Sequence, residues 1–129
     1  MTEVREEYFY SKEHDWVKID GEFAYLGISD YAQDELGEIV YVDYVKDVGD
    51  EIKIGEDYAS VESTKSTSEV FSLVSGEVVE LNEAVEDDSE VINASPYDNG
   101  WIIKIKLSET VDTSQLLSAS DYEDFLKTL

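Results

Sequence analysis

The residue of this chain best placed to do chemistry is Lys65, in the middle of Val61-Glu62-Ser63-Thr64-Lys65-Ser66-Thr67-Ser68-Glu69-Val70. Tyr58 to Glu62 reads as one strand and Glu69 to Val74 as a second, with only small polar residues and the lysine between them. The spacing predicts a hairpin with an amine at its tip. In a chain of 32 acidic and 9 basic residues, an amine displayed in this way suits covalent attachment better than packing. The small neighbours Ser63, Thr64, Ser66, Thr67 and Ser68 leave room for a modifying enzyme. Glu62 and Glu69 flank the turn as charges that a partner can read. The plainer alternative is an ordinary solvated lysine, which is the default for every other lysine here.

The remaining residues do not assemble a recognisable active site. His14 is the only histidine, and it has no serine or cysteine partner in a hydrolase motif. There is no cysteine, which excludes disulfides, thiolate metal sites and a cysteine nucleophile. No histidine pair or calcium-type carboxylate loop appears. The 7 glycines are scattered among turns rather than gathered into a phosphate-cradling loop. Carboxylate pairs abound, but in so acidic a chain a pair carries no information.

The elements that must position Lys65 are mostly short strands. Asp20-Gly21 marks a hairpin before an apolar run from Phe23 to Ile28. Asp30-Tyr31-Ala32-Gln33 has the form of a capping box with Asp30 as the cap, and Gly37 suits the residue after the helix. Ile39 to Val45 is β-branched and aromatic, as a strand requires. Gly49-Asp50 and Ser75-Gly76 are turns, and Glu77 to Leu81 resumes as a strand. Glu83 to Glu90 reads as an acidic, solvated connection. Ser95 to Gly100 is turn-rich around the one proline, Pro96. Trp101 to Leu107 alternates, with Trp101, Ile103, Ile105 and Leu107 on one face and Lys104 and Lys106 on the other. Ser120-Asp121-Tyr122-Glu123 is a second capping box. It opens a helix whose Tyr122, Phe125, Leu126 and Leu129 form one apolar stripe. Many short strands with frequent turns indicate a mainly β sandwich or barrel-like body with short helices appended.

Composition bounds the rest. The chain has 129 residues, 42% of them hydrophobic, with 9 Tyr, 4 Phe and 2 Trp. That is enough for one folded domain spanning 1–129, and too aromatic for a disordered acidic chain. The formal net charge of −23 repels phosphate backbones and excludes nucleic acid as a partner. No apolar run reaches membrane-spanning length. The first residues resemble neither a signal nor a transit peptide, so the expected location is cytoplasmic, or the mitochondrial matrix for a processed eukaryotic form.

With these residues on the page, the sequence resembles the H protein family of the glycine cleavage system. Val61-Glu62-Ser63-Thr64-Lys65 and Ser72-Leu73-Val74-Ser75-Gly76-Glu77-Val78-Val79-Glu80 are similar to that family's lipoyl-attachment hairpin. His14-Asp15-Trp16-Val17, Gly27 to Gln33, Leu36 to Val40, Asn93 to Tyr97 and Gly100 to Lys104 match further blocks in the same order. The likeness covers roughly Tyr8 to Leu107.

The resemblance implies a barrel-sandwich hybrid of the lipoyl/biotinyl-carrier type with a C-terminal helical tail. It implies a carrier rather than an enzyme, with lipoic acid in amide linkage to Lys65. Such a carrier shuttles an aminomethyl group from a pyridoxal-phosphate glycine decarboxylase to an aminomethyltransferase, and electrons to dihydrolipoamide dehydrogenase. A lipoyl ligase or lipoyltransferase would modify it, with Glu62 and Ser63 as recognition residues. The resemblance further implies that the arm lies in a cleft near Asp15, Glu35 and Glu69; the bland alternative is that these are three acids among 32. A carrier that visits several active sites is best monomeric.

Departures from the family pattern are Thr64 and Ser66 in place of Val and Ala, Leu73 in place of Pro, and Asp15 in place of Glu. Two other functions share the same residues: an H-like protein relaying lipoyl groups to 2-oxoacid dehydrogenases, and an unmodified interaction module. The intact mass of the native protein separates the last from the other two.

Overall fold

The structure, a computed structural model, describes residues 2–129. Nine strands are joined by tight turns. They are β1 Phe9–Tyr10, β2 Asp15–Asp20, β3 Phe23–Ile28, β4 Ile39–Tyr44, β5 Glu51–Ile52, β6 Asp57–Ser63, β7 Thr67–Phe71, β8 Gly76–Leu81 and β9 Ile103–Leu107. Helices interrupt them at α1 Asp30–Leu36, α2 Glu83–Asp87, α3 Val91–Ala94 and, near the C-terminus, α4 Ala119–Leu126. One antiparallel sheet has the order β1-β2-β3-β9-β8-β5 and the other β4-β6-β7. The protein is thus mainly β, a barrel-sandwich with short helices and a C-terminal helix, as expected.

The main core lies between the sheets. Val17, Leu26, Ile103, Ile105 and Val78 from the larger sheet pack with Val42, Tyr58, Val61 and Val70 from the smaller. Each aliphatic side chain buried there contributes about 1.5–3 kcal/mol. A second, aromatic cluster of Tyr8, Tyr10, Trp16, Tyr97, Ala119 and Tyr122 holds the chain's two ends together. Trp16 pairs across the sheet with Gly27, and a Cβ at Gly27 would come within 2.7 Å of the indole ring. The glycine is what lets the tryptophan lie flat on β3.

Several local expectations are corrected. The cap of α1 is Ser29, not Asp30: the Ser29 hydroxyl accepts from the Ala32 N–H at 3.2 Å, while Gln33 Nε2 donates to Asp30 Oδ1 at 2.8 Å. Asp30 is the first helical residue, where a carboxylate still favours the positive end of the helix. Likewise Ser118, rather than Ser120, caps α4, accepting from the Asp121 N–H at 3.2 Å. Leu129 is 63% exposed and does not join the apolar stripe.

The acidic connection from Glu83 to Glu90 contains α2. Its Val85 is fully buried, and Asn82 caps it through a 3.1 Å bond from the Ala84 N–H. Strand β7 stops at Phe71. Ser72 turns the chain there, its hydroxyl donating to the Val74 carbonyl at 2.6 Å, so Leu73 and Val74 are core residues in a turn. Trp101 precedes β9 and packs edge-on against Tyr25 at 5.3 Å, away from the face of Ile103 and Ile105.

Candidate functional site

β6 and β7 form the expected hairpin, with Glu62 opposite Thr67 and Val61 opposite Ser68. Ser63 fastens its turn. The Ser63 N–H donates to the Ser66 carbonyl at 2.8 Å, and the Ser63 hydroxyl accepts from the N–H groups of Lys65 and Ser66 at 3.2 and 3.1 Å. Its side chain is committed to the turn. Glu62, by contrast, points to solvent, and Lys65 at the apex is exposed.

The turn does not float. The Thr64 N–H donates to the Glu38 carbonyl at 3.0 Å, docking the apex on the corner between α1 and β4. The lysine stem lies over Gly37, where a Cβ would stand 3.4 Å from Lys65 Cε. Gly37 has φ of 82°, and its N–H donates to the Gln33 carbonyl at 3.0 Å, closing the helix. A side chain at this position would be strained by the backbone and would crowd the stem. Asn93 of α3 holds the same corner from behind. Its Nδ2 donates to Gly37 O at 2.9 Å and to Gln33 Oε1 at 2.8 Å, and its Oδ1 accepts from the Ile39 N–H at 2.8 Å. The amino-acid sequence does not connect Gly37 or Asn93 to the lysine. Their neighbouring motifs were visible, but nothing local marks a contact between positions so far apart in the chain.

Next to this corner lies a cleft of about 170 Å³, which brings Asp15, Glu35 and Glu69 onto one wall system with Leu36, Ile28 and Tyr31. Asp15 comes from the start of β2, Glu35 from α1 and Glu69 from β7. Glu35 and Glu69 are exposed, whereas Asp15 is only 4% exposed. Burial pushes the Asp15 carboxyl well above the usual carboxylate range and the charge of Glu13 adds to it, against the weaker pull of hydrogen bonds from the Phe71 backbone and Ser11. Among the described residues Asp15 makes no ion pair.

His14 also lines the cleft, at a positive φ of 71° that is uncommon for a non-glycine residue. Its Nδ1 lies 2.8 Å from the Tyr122 hydroxyl, which is in turn 2.7 Å from Ser29 Oγ, so α4 braces the cleft wall. Burial lowers the His14 pKa despite Glu13 and Glu35, which favours the neutral ring. No cluster of three or more metal-ligating side chains occurs among the described residues, and no helix is long and apolar enough to cross a membrane.

The arrangement suits a long acyl arm better than a reacting substrate. An exposed amine stands on a fixed corner. Beside it runs a narrow cleft with apolar walls and three carboxyl groups, one of them deep. An apolar chain attached to Lys65 could lie along Leu36 and Ile28, and a cationic end would meet Asp15, Glu35 or Glu69.

The chain is also similar to known proteins. The family profile described as Glycine cleavage H-protein matches residues 8–129. The Glycine cleavage system H protein of Staphylococcus carnosus is 46% identical over 123 residues, covering 95% of this chain and 97% of that protein. The protein of the same name from Bacillus licheniformis is 47% identical over 118 residues, 92% of each chain. The crystal structure of a glycine cleavage system H protein from Mycobacterium marinum superposes with a TM-score of 0.86 at 31% identity, covering 98% of this chain and 100% of that one.

Proposed function

The chain belongs to the glycine cleavage H-protein family, whose members carry lipoate and have no catalytic activity of their own, and on that premise we propose that Lys65 is the acylated residue. The observation that carries the proposal is the exposed Lys65 amine, held over Gly37 beside the cleft of Asp15, Glu35 and Glu69. When attached, lipoic acid supplies a dithiolane that accepts a one-carbon amine fragment and two electrons.

The chain's own residues do the rest. Ser63 and the Glu38 carbonyl hold the attachment point, which narrows the orientations a tethered group samples. Tethering also replaces diffusion with a high effective concentration at each partner's active site. Leu36, Ile28 and Tyr31 offer the arm an apolar bed. Asp15, Glu35 and Glu69 attract a protonated amine at its end, and the cleft walls around it shield the labile carbon–sulfur link from water. Burial raises the Asp15 pKa, and such a cation would draw it back towards the ionised form.

In this reading the whole chain, 1–129, is one carrier domain with a helical tail, acting as a monomer in the cytoplasm, or in the mitochondrial matrix if the chain is a processed eukaryotic form. It receives lipoate from a ligase or lipoyltransferase that reads Glu62 directly and Ser63 through the turn it shapes. It then carries an aminomethyl group from glycine decarboxylase to aminomethyltransferase, and electrons to dihydrolipoamide dehydrogenase.

Lys65→Arg tests the proposal. The variant keeps the charge but presents no acylatable amine. It is expected to gain no lipoyl mass and to support no glycine–bicarbonate exchange with the decarboxylase. Exchange at the wild-type rate would refute the assignment.

A further inference from the structure

A feature of β4 has no role in the fold or the cleft. The register between β4 and β6 slips between Ile39 and Tyr41, so that two consecutive residues turn outward. Ile39 is fully buried, while Val40 is 52% and Tyr41 51% exposed. Together they make an apolar step directly beside the lysine turn: Ile39 pairs with Ser63, Tyr41 pairs with Glu62, and Glu38 holds Thr64.

Acids rim the step. Glu38 and Glu62 adjoin it, and Glu90, at the start of α3, lines a shared surface cleft with Glu38, whose carboxyl raises the Glu90 pKa. None of the three forms an ion pair among the described residues. Acidic side chains gathered without a cation around exposed Val and Tyr form a surface complementary to an apolar recess edged with Lys or Arg.

We propose that Val40 and Tyr41, with Glu38 and Glu90 at their rim, form the docking surface for the enzyme that acylates Lys65. The proposal rests on the assignment of Lys65 as the lipoyl acceptor. Reach distinguishes this occupant from the other partners. Enzymes acting on the loaded carrier meet the far end of a long arm, whereas the acylating enzyme must bring its active site to Nζ itself and so cover the surface flanking Gly37. In the step it performs, the deprotonated Nζ attacks the carbonyl carbon of a lipoyl adenylate. The N–C bond forms, the C–O bond to phosphate breaks, and AMP leaves with the electron pair. The two protons lost from the ammonium pass to solvent, and no electrons are exchanged with a redox partner.

The test follows lipoyl mass gain on the unmodified protein, with a lipoate ligase, lipoate and ATP, by intact mass spectrometry at varied carrier concentration. Val40→Ser/Tyr41→Ser is expected to raise KM for the carrier by about tenfold or more with kcat little changed. Glu90→Lys, an exposed change that leaves the apolar step intact, should raise KM in the same direction. Val48→Ser/Ile54→Ser serves as the control. These residues are 61% and 63% exposed, and lie toward the end of β6 remote from Lys65, where Val45 bonds to Tyr58. The control should leave KM unchanged.

Wild-type kcat/KM in the folded Val40→Ser/Tyr41→Ser variant overturns the docking surface. So does wild-type kcat/KM in Glu90→Lys, if the double variant does not fold. Wild-type protein that gains no mass, or gains it at a residue other than Lys65, sinks the Lys65 assignment itself, and the docking surface with it.

Discussion

Asp15 carries a carboxyl group where water hardly reaches it, and its cost depends on pH in a definite direction. Its folded pKa is raised well above the ordinary value by burial. A group of this kind stabilises the fold fully below the unfolded pKa, about 3.9, and that contribution is lost as pH rises through the folded pKa. Asp15→Asn removes the ionisation while keeping the shape. In urea unfolding, the variant should match wild type near about pH 4 and become progressively more stable than wild type as pH rises. Parallel profiles would show that Asp15 is not held neutral. The same variant should lose shelter for a cationic arm end, so function and stability pull against each other at this position. Nearby, the Tyr58 hydroxyl is fully buried with no hydrogen-bond partner among the described residues, and burial raises its pKa. The buried carboxyl of Asp15 is therefore a costly part of the cleft, as befits a site kept for binding.

At the scale of elements, the hairpin was legible because β-branched and aromatic runs enclosed a stretch of small polar residues. The end of its second arm was not. Leu73 and Val74 are as apolar as strand residues, and only the Ser72 side chain, bonded to Val74, reveals the turn. Both helix starts were shifted by one or two residues, since Ser29-Asp30 and Ser118-Ala119-Ser120-Asp121 offer several capping side chains and backbone geometry chooses among them. Helix α2 was hidden by its charge: Glu83, Glu86 and Asp87 outweigh the single inward Val85. Most consequential was Asn93, whose three bonds span α1 and β4 and leave no trace in local pattern. Asn93→Ala should cost about 1–3 kcal/mol by leaving the Gly37 carbonyl and the Ile39 N–H unpaired. Hydrogen exchange should then quicken at Ile39 and Thr64, ahead of the β2–β3 amides. Equal acceleration everywhere would mean that Asn93 supports the whole fold rather than this corner.

Over the whole molecule, the charge of −23 sets the behaviour. Like charges oppose compaction, and salt shortens their reach from about 30 Å at 0.01 M to about 8 Å at 0.15 M. The melting temperature should therefore rise over that range of sodium chloride, and a flat or falling curve would show that local ion pairs dominate instead. Few such pairs exist among the described residues. The shortest is Arg5 with Asp98, a two-pronged contact of 2.6 and 2.8 Å that ties the N-terminal segment to the turn after Pro96. Composition made the acidity plain, and the succession of short strands and turns did the same for the mainly β body. It did not show the aromatic cluster that joins the ends, where Tyr10 stacks on Tyr122 at 4.3 Å, since its members come from both extremes of the chain.

The bond from Thr64 to the Glu38 carbonyl has a mechanical result. A hairpin tip free of such a strut would swivel on its own, and its passenger would be aimed by local wobble. Here the pivot is bolted to the frame, so the backbone at the point of departure moves with the entire globule and only the lysine stem is left to aim the cargo.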